Sequence, residues 1–250
     1  MHHFFVSPSQ IGKDHITIVG TDVNHIKNVL RMGVGEEVNV TDGEGDKVYR
    51  CCVDRFLEDS VELKIMWVQE NGVELPSRIY LFQGLPKSDK MELIIQKAVE
   101  LGVYEIIPVA TKRAVVKLDE KKASAKCKRW QAISESAAKQ SKRLVIPQVT
   151  LPMNFSRALE YGKELDVKLI PYEMAEGMEG TRKIIESIHP GQSVAVFIGP
   201  EGGFDDDEIR EAKACGYEPV TLGRRILRTE TAGMTVLSIL MYHLEDRSEM

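Results

Sequence analysis

With 250 residues the chain is long enough for one large domain or two smaller ones, each with a proper core. Apolar residues make up 43% and charged residues 28%, which are the proportions of a soluble globular protein. No apolar run approaches the roughly 18 residues of a membrane span and no signal-peptide pattern follows Met1, so the expected compartment is the cytoplasm, with no membrane partner.

The formal charge of −5 argues weakly against a nucleic-acid partner. Its distribution argues the other way. Residues 111–143 hold eleven Lys/Arg against three Asp/Glu, a local surplus of +8 that leaves −13 on the rest of the chain. Such a concentration is the electrostatic footprint of a phosphate-binding face. The four cysteines, Cys51, Cys52, Cys127 and Cys215, form no Cys-x-x-Cys pair and no zinc spacing. They read as reduced structural thiols, and no metal is expected.

In chain order, residues 1–72 read as short strands with turns. Ile16–Val19, Glu37–Thr41, Lys47–Val53 and Ser60–Trp67 are rich in β-branched residues and partly alternate. Asp42-Gly43 is a hairpin signal between the second and third. A short helix is predicted over Asp22–Met32, with Asp22 as its cap. A run of strands with one helix predicts a small β-barrel. The polar stretch Gln69–Pro76 predicts a linker.

From there the pattern changes to alternating strand and helix. Arg78–Gln83 reads as a strand, then a helix capped by Ser88 or Asp89 runs to Leu101 with Gly102 closing it, and Glu105–Ala110 is the next strand. That β-α-β unit implies a parallel pair. Asp119–Ser141 reads as a long basic helix with Trp130 buried. Val167–Tyr172 is a strand, and Glu176–Gly180 predicts a mobile loop. Asp205–Cys215 is a helix with an acidic first turn, which its dipole favours. Four carboxylates in one turn do not converge, so they read as structural. Thr231–His243 is the closing helix.

Two loops stand out. Phe197-Ile198-Gly199-Pro200-Glu201-Gly202-Gly203-Phe204 and Leu222-Gly223-Arg224-Arg225-Ile226-Leu227-Arg228-Thr229-Glu230-Thr231-Ala232 each follow a short apolar strand and precede a helix. Loops at the carboxyl ends of strands in an open α/β sheet are where ligands bind, and glycines there admit a close ligand. Neither loop is a P-loop or a G-x-G-x-x-G fingerprint. Helix capping accounts for Thr229, Glu230 and Thr231. It does not account for three arginines beside an apolar Ile-Leu pair.

The two motifs resemble those of the SPOUT methyltransferases, in the RsmE branch of 16S rRNA (uracil-N3)-methyltransferases. The likeness extends to His25 and Val29-Leu30-Arg31, to the Lys90–Gly102 run, and to Arg129-Trp130 with Gln140–Arg143. It implies an α/β fold in two domains: a PUA-like β-barrel that binds RNA, residues 1–72, and a SPOUT domain with a mostly parallel sheet and a C-terminal trefoil knot, residues 73–250. It implies S-adenosyl-L-methionine as cofactor, 16S rRNA in the small ribosomal subunit as partner, and a homodimer. Cofactor residues carried over are Pro171, Gly199, Pro200, Glu201, Gly202, Leu222, Gly223, Ile226, Leu227, Thr229 and Ala232. His25, Arg31, Arg113, Lys117 and Arg143 are the candidate RNA contacts. His3, where the family carries Arg, and Ala114, where it carries Ser, depart from the pattern.

The implied reaction moves a methyl group to uracil N3, an atom that is a poor nucleophile until it loses its proton. The site then needs a base or a cation that stabilises the uracil anion. Arg228 is the candidate for the second role. Glu201 and Glu230 are candidates for the first, with Glu230, at a helix start, read as a positioning group. N3 lies on the Watson–Crick edge, so the target base must be unpaired or flipped out. Two alternatives stay open: a knotted 2′-O-ribose methyltransferase, and a non-catalytic RNA-binding protein.

Overall fold

The computed structural model describes residues 1–43, 47–70, 73–172 and 177–248. The chain divides into two compact units, Met1–Glu74 with Ala138–Ile146, and Leu75–Ala137 with Pro147–Met250.

The first unit holds β1 (His2–Phe5), β2 (His15–Val19), α1 (Thr21–Asn24), β3 (Glu37–Thr41), β4 (Lys47–Phe56) and β5 (Ser60–Glu70). They form one five-stranded sheet in the order β1-β3-β4-β5-β2. The period-two alternation turns Ile16 and Ile18, Val38 and Val40, Cys51 and Val53, and Val61 and Leu63 into a single core with Phe4 and Val6. All four predicted strands are present. β1 escapes sequence reading because His2-His3-Phe4-Phe5 does not alternate, and its parallel pairing with β3 is long-range. Gly43 adopts φ 75° at the predicted hairpin, and residues 44–46 of that turn lie outside the described residues.

The predicted 22–32 helix is only α1 followed by one π-type turn, His25–Val29. Gly20, at φ 75°, occupies its cap position. Asp22 is not the cap; its carboxylate accepts a hydrogen bond from Lys139 Nζ at 3.0 Å. Glu74, within the predicted linker, is no solvated spacer: it pairs with Arg143 and accepts the main-chain N–H of Leu144 at 2.8 Å. Asn71 and Gly72 lie outside the described residues.

In the second unit, β6 (Arg78–Gly84), α2 (Lys90–Glu100), β7 (Glu105–Ala110), α3 (Glu120–Ser141) and β8 (Gln148–Val149) come first. From Ala138 on, α3 groups with the first unit. Then follow β9 (Met153–Asn154), α4 (Phe155–Tyr161), β10 (Val167–Pro171), α5 (Met178–Glu186), β11 (Ser193–Ile198), α6 (Asp206–Ala214), β12 (Glu218–Val220) and α7 (Thr229–Ser248). The strand order is β12-β10-β11-β6-β7-β8, with β9 also on β7, and every pairing is parallel. β6, β7 and β11 are apolar almost throughout, as strands covered on both faces are. Phe82 of β6 stacks on Phe197 of β11 with ring centroids 4.3 Å apart.

α2 ends as predicted. Gly102 takes φ 86°, and Val103 N–H reaches back to Ala98 O at 3.0 Å, the left-handed helix stop that glycine favours. Trp130 is buried. The expected mobile loop is corrected in part: α5 begins at Met178, while Glu176, with Glu173, lies outside the described residues. Asp205 caps α6 in a reciprocal box with Glu208. Asp206 accepts from Tyr172, while Asp205 and Asp207 accept from Lys112 Nζ and Glu208 from the Lys112 main-chain N–H.

Candidate functional site

The carboxyl ends of β10, β11 and β12 lie side by side in the sheet, and the three loops leaving them enclose a cavity of about 550 Å³. Pro171 ends β10 and Tyr172 follows it, Ile198 ends β11 and residues 199–204 follow it, and residues 221–223 and 226–228 follow β12; Thr229 and Ala232 of α7 and Lys90 of α2 complete the wall. All eleven predicted cofactor residues lie on it: Pro171, Gly199, Pro200, Glu201, Gly202, Leu222, Gly223, Ile226, Leu227, Thr229 and Ala232. Arg228 lines it as well, and Glu230 sits behind the wall.

The loops are held by close backbone approach and by one buried relay. A Cβ on Gly84, the last residue of β6, would lie 2.7 Å from Pro200 N, so only glycine lets the second loop cross there. Gln83 Nε2 donates to Thr229 Oγ1 at 2.8 Å, and that hydroxyl donates to Gly199 O at 2.6 Å. Thr229 is therefore not a helix cap. It ties the start of α7 to β6 and to the second loop. Gly203, at φ 66°, makes the turn that returns the chain to Phe204 in the core.

The electrostatics of the wall separate its two ends. Lys90 Nζ lies 3.1 Å from Glu201 Oε1 and 3.3 Å from Glu230 Oε2. Burial pushes the Glu201 carboxyl up, but hydrogen bonds from its own main chain, from Lys90 and from Lys87 N–H outweigh burial, and its pKa is lowered. Hydrogen bonding to Glu201 likewise raises Lys90. A carboxylate held below its usual range is poorly suited to take a proton near neutral pH. Arg228 makes no ion pair or side-chain hydrogen bond among the described residues. Ile226, also on the wall, is 86% exposed.

The candidate RNA contacts are treated unequally. His25 and Arg31 are exposed in the first unit, the His25 ring edge-on to Phe4 at 6.4 Å and Arg31 at φ 52°. Lys117 is exposed. Arg113 donates to Gly202 O at 3.3 Å and so braces the second loop. Arg143 is only 7% exposed, with its side chain bound to Glu74 instead of presented at the surface. His3 is no substitute for a surface arginine either. It is buried, and burial first, then Lys139 and Lys142, lowers its pKa to about 4. Lys90, Thr221 and Gln83 are site residues that sequence reading missed. Lys90 lay inside a recognised motif, the only signal that could have found it.

Comparison with known proteins agrees with this geometry. Residues 73–241 match the family model described as an RNA methyltransferase domain, and residues 20–55 match the RNA methyltransferase PUA domain. The ribosomal RNA small subunit methyltransferase E of Bacillus subtilis is 38% identical over 92% of this chain and 90% of its own length. That of Mesomycoplasma hyopneumoniae is 36% identical over 95% and 98%. The crystal structure of the Neisseria gonorrhoeae enzyme of that name, bound to S-adenosyl methionine, superposes with a TM-score of 0.83 at 30% identity, covering 97% of each chain. The chain belongs to the ribosomal RNA small subunit methyltransferase E family, the RsmE family that its two loop motifs resemble.

Proposed function

We propose that the chain is an S-adenosylmethionine-dependent methyltransferase that modifies N3 of a uridine in 16S rRNA, in the assembled small ribosomal subunit. The observation that carries this reading is the cavity itself: both motif loops converge on it, and Arg228 lies on its wall with no side-chain partner among the described residues. The residues suit the cofactor. Ile226 and Leu227 offer an apolar slot for an adenine, and the glycine-rich main chain offers donors and acceptors for its edges. Bound there, S-adenosylmethionine would supply an electrophilic methyl whose leaving group is the neutral thioether, and the uracil N3 proton would pass to solvent water.

Arg228 stabilises the negative charge that develops on the uracil ring when N3 is deprotonated. Glu201, on the wall, and Glu230, behind it, are both paired with Lys90. Residues 1–72 form the RNA-gripping domain, through His25 and Arg31, and residues 73–250 the methyltransferase domain, to which Lys117 and Arg113 add cations. The trefoil knot is supported by the strand order. The chain leaves β12 at one edge of the sheet, yet Thr229 bonds to Gln83 of β6, beyond β10 and β11. Exposed Ile239 and Tyr242 on α7 support a homodimer. No helix among the described residues is long and apolar enough to cross a membrane, consistent with work in the cytoplasm.

The test is a transfer assay with methyl-labelled S-adenosylmethionine and small subunits lacking the modification, followed by nucleoside analysis. Label in N3-methyluridine is expected. Label in a 2′-O-methyl nucleoside would overturn the target, and absence of label with both subunits and free RNA would overturn the reaction.

A further inference from the structure

The cavity wall carries Glu201 and Lys90, and Glu230 lies against Lys90 behind it. Lys90 opens α2, Glu201 lies in the loop after β11, and Glu230 is in the first turn of α7. Three elements far apart in sequence thus meet at one nitrogen. Glu201 is fixed further by Lys87 N–H, 3.1 and 3.3 Å from its two oxygens. Glu230 Oε2 is buried and accepts no hydrogen bond among the described residues; the ammonium is what faces it. The other charged groups nearby are Arg228 on the cavity wall and Arg113, which is directed at Gly202 O and Asp205. Two carboxylates that share one ammonium lose their common counter-charge when the cation is removed, and their mutual repulsion then disfavours ionisation of the pair.

We propose that Lys90 is a positioning residue for methyl transfer: its ammonium holds the Glu201 and Glu230 carboxylates in one clamp, so that their negative charge is committed to Lys90, the uracil N3 proton passes to solvent water, and Arg228 is left as the charge facing the acceptor base. This rests on the functional reading above for the identity of the acceptor. The clamp itself rests on the two contacts alone. The lowered Glu201 and raised Lys90 pKa agree with it.

The experiment is a carboxyl titration by NMR on the full chain, with 13Cδ-labelled glutamate, in the parent and in Lys90→Met, Lys90→Gln and Lys90→Arg. Glu201→Gln and Glu230→Gln assign the two resonances. In Lys90→Met one of the two carboxyls is expected to titrate higher than in the parent by about one pH unit or more. Lys90→Gln, which keeps hydrogen-bonding capacity without charge, is expected to do the same, and Lys90→Arg to restore the parent curve. The acid limb of the single-turnover methylation rate should move with the carboxyl in the same variants, a shift that a merely structural role would not produce. Superimposable titration curves in the parent, Lys90→Met and Lys90→Gln would overturn the proposal. The titration needs neither RNA nor cofactor, so failure to methylate uracil N3 would overturn the functional reading, and with it the acceptor named here, while leaving the clamp standing.

Discussion

The basic segment 111–143 and the loop after β12 carry the same kind of side chain and use it in opposite ways. In the segment, Lys112 pairs with Asp207 at 2.7 Å, Arg129 with Glu92 at 2.7 Å and Lys139 with Asp22 at 3.0 Å, while Arg143 is closed against Glu74. In the loop, Arg224, Arg225 and Arg228 are exposed and have no ion-pair partner among the described residues. A local charge surplus therefore overstates what a phosphate can reach. The pairs differ among themselves as well. An exposed pair such as Lys112–Asp207 contributes about 0–1 kcal/mol and yields readily to an incoming phosphate. The buried Arg143–Glu74 pair does not, because opening it strands a carboxylate away from water.

Arg143→Ala attacks the buried side of that contrast. It should destabilise the fold by about 3–5 kcal/mol in urea unfolding, the usual result of removing one partner of a buried pair. Unchanged stability with weakened RNA binding would restore Arg143 as a contact. On the free side, Arg228→Ala should slow single-turnover methyl transfer by roughly 100- to 1,000-fold while cofactor affinity, read by calorimetry, stays near the parent value. Equal rates in mutant and parent would remove Arg228 from the chemistry.

His3 tests how strongly the segment's lysines act inside the first unit. Its pKa lies at about 4 against 6.5 for an ordinary histidine, owing to burial, Lys139 and Lys142. A depressed folded pKa means that the unfolded chain binds the extra proton first. The stability is therefore present above pH 6.5 and is lost as pH falls towards 4, by roughly 3 kcal/mol at most. His3→Phe should flatten that acid-side loss in denaturation series at pH 7.5 and 4.5, and an unchanged slope would show that the ring does not set it. The smallest expected effect is that of Arg224→Gln with Arg225→Gln. Together they should reduce the slope of log affinity against log salt for subunit RNA by about 1–2, without changing which nucleoside is modified.

Much of this architecture can be read from local pattern. The β6-α2-β7 unit, the α6 cap and the two glycine-rich loops are written in residues that neighbour one another, and local chemistry places them. What cannot be read this way is pairing over long range. Glu74 looks like part of a polar linker until Arg143 meets it 69 residues later. Lys90 looks like any helix-opening lysine until the fold brings Glu201 and Glu230 to it. Thr229 has the chemistry of a cap and spends its hydroxyl on Gly199 instead. In each case the sequence specifies the group, and tertiary approach chooses its partner.

The Gln83–Thr229–Gly199 relay also sets a schedule for synthesis. Gln83 and Thr229 are 146 residues apart. At about 5–20 residues per second a nascent chain makes β6 many seconds before the start of α7 is available. Loop closure over such a span is entropically costly and belongs to slow, late folding. A chain still in the exit tunnel can have most of its parallel sheet and yet lack the pocket, which is completed only when α7 docks.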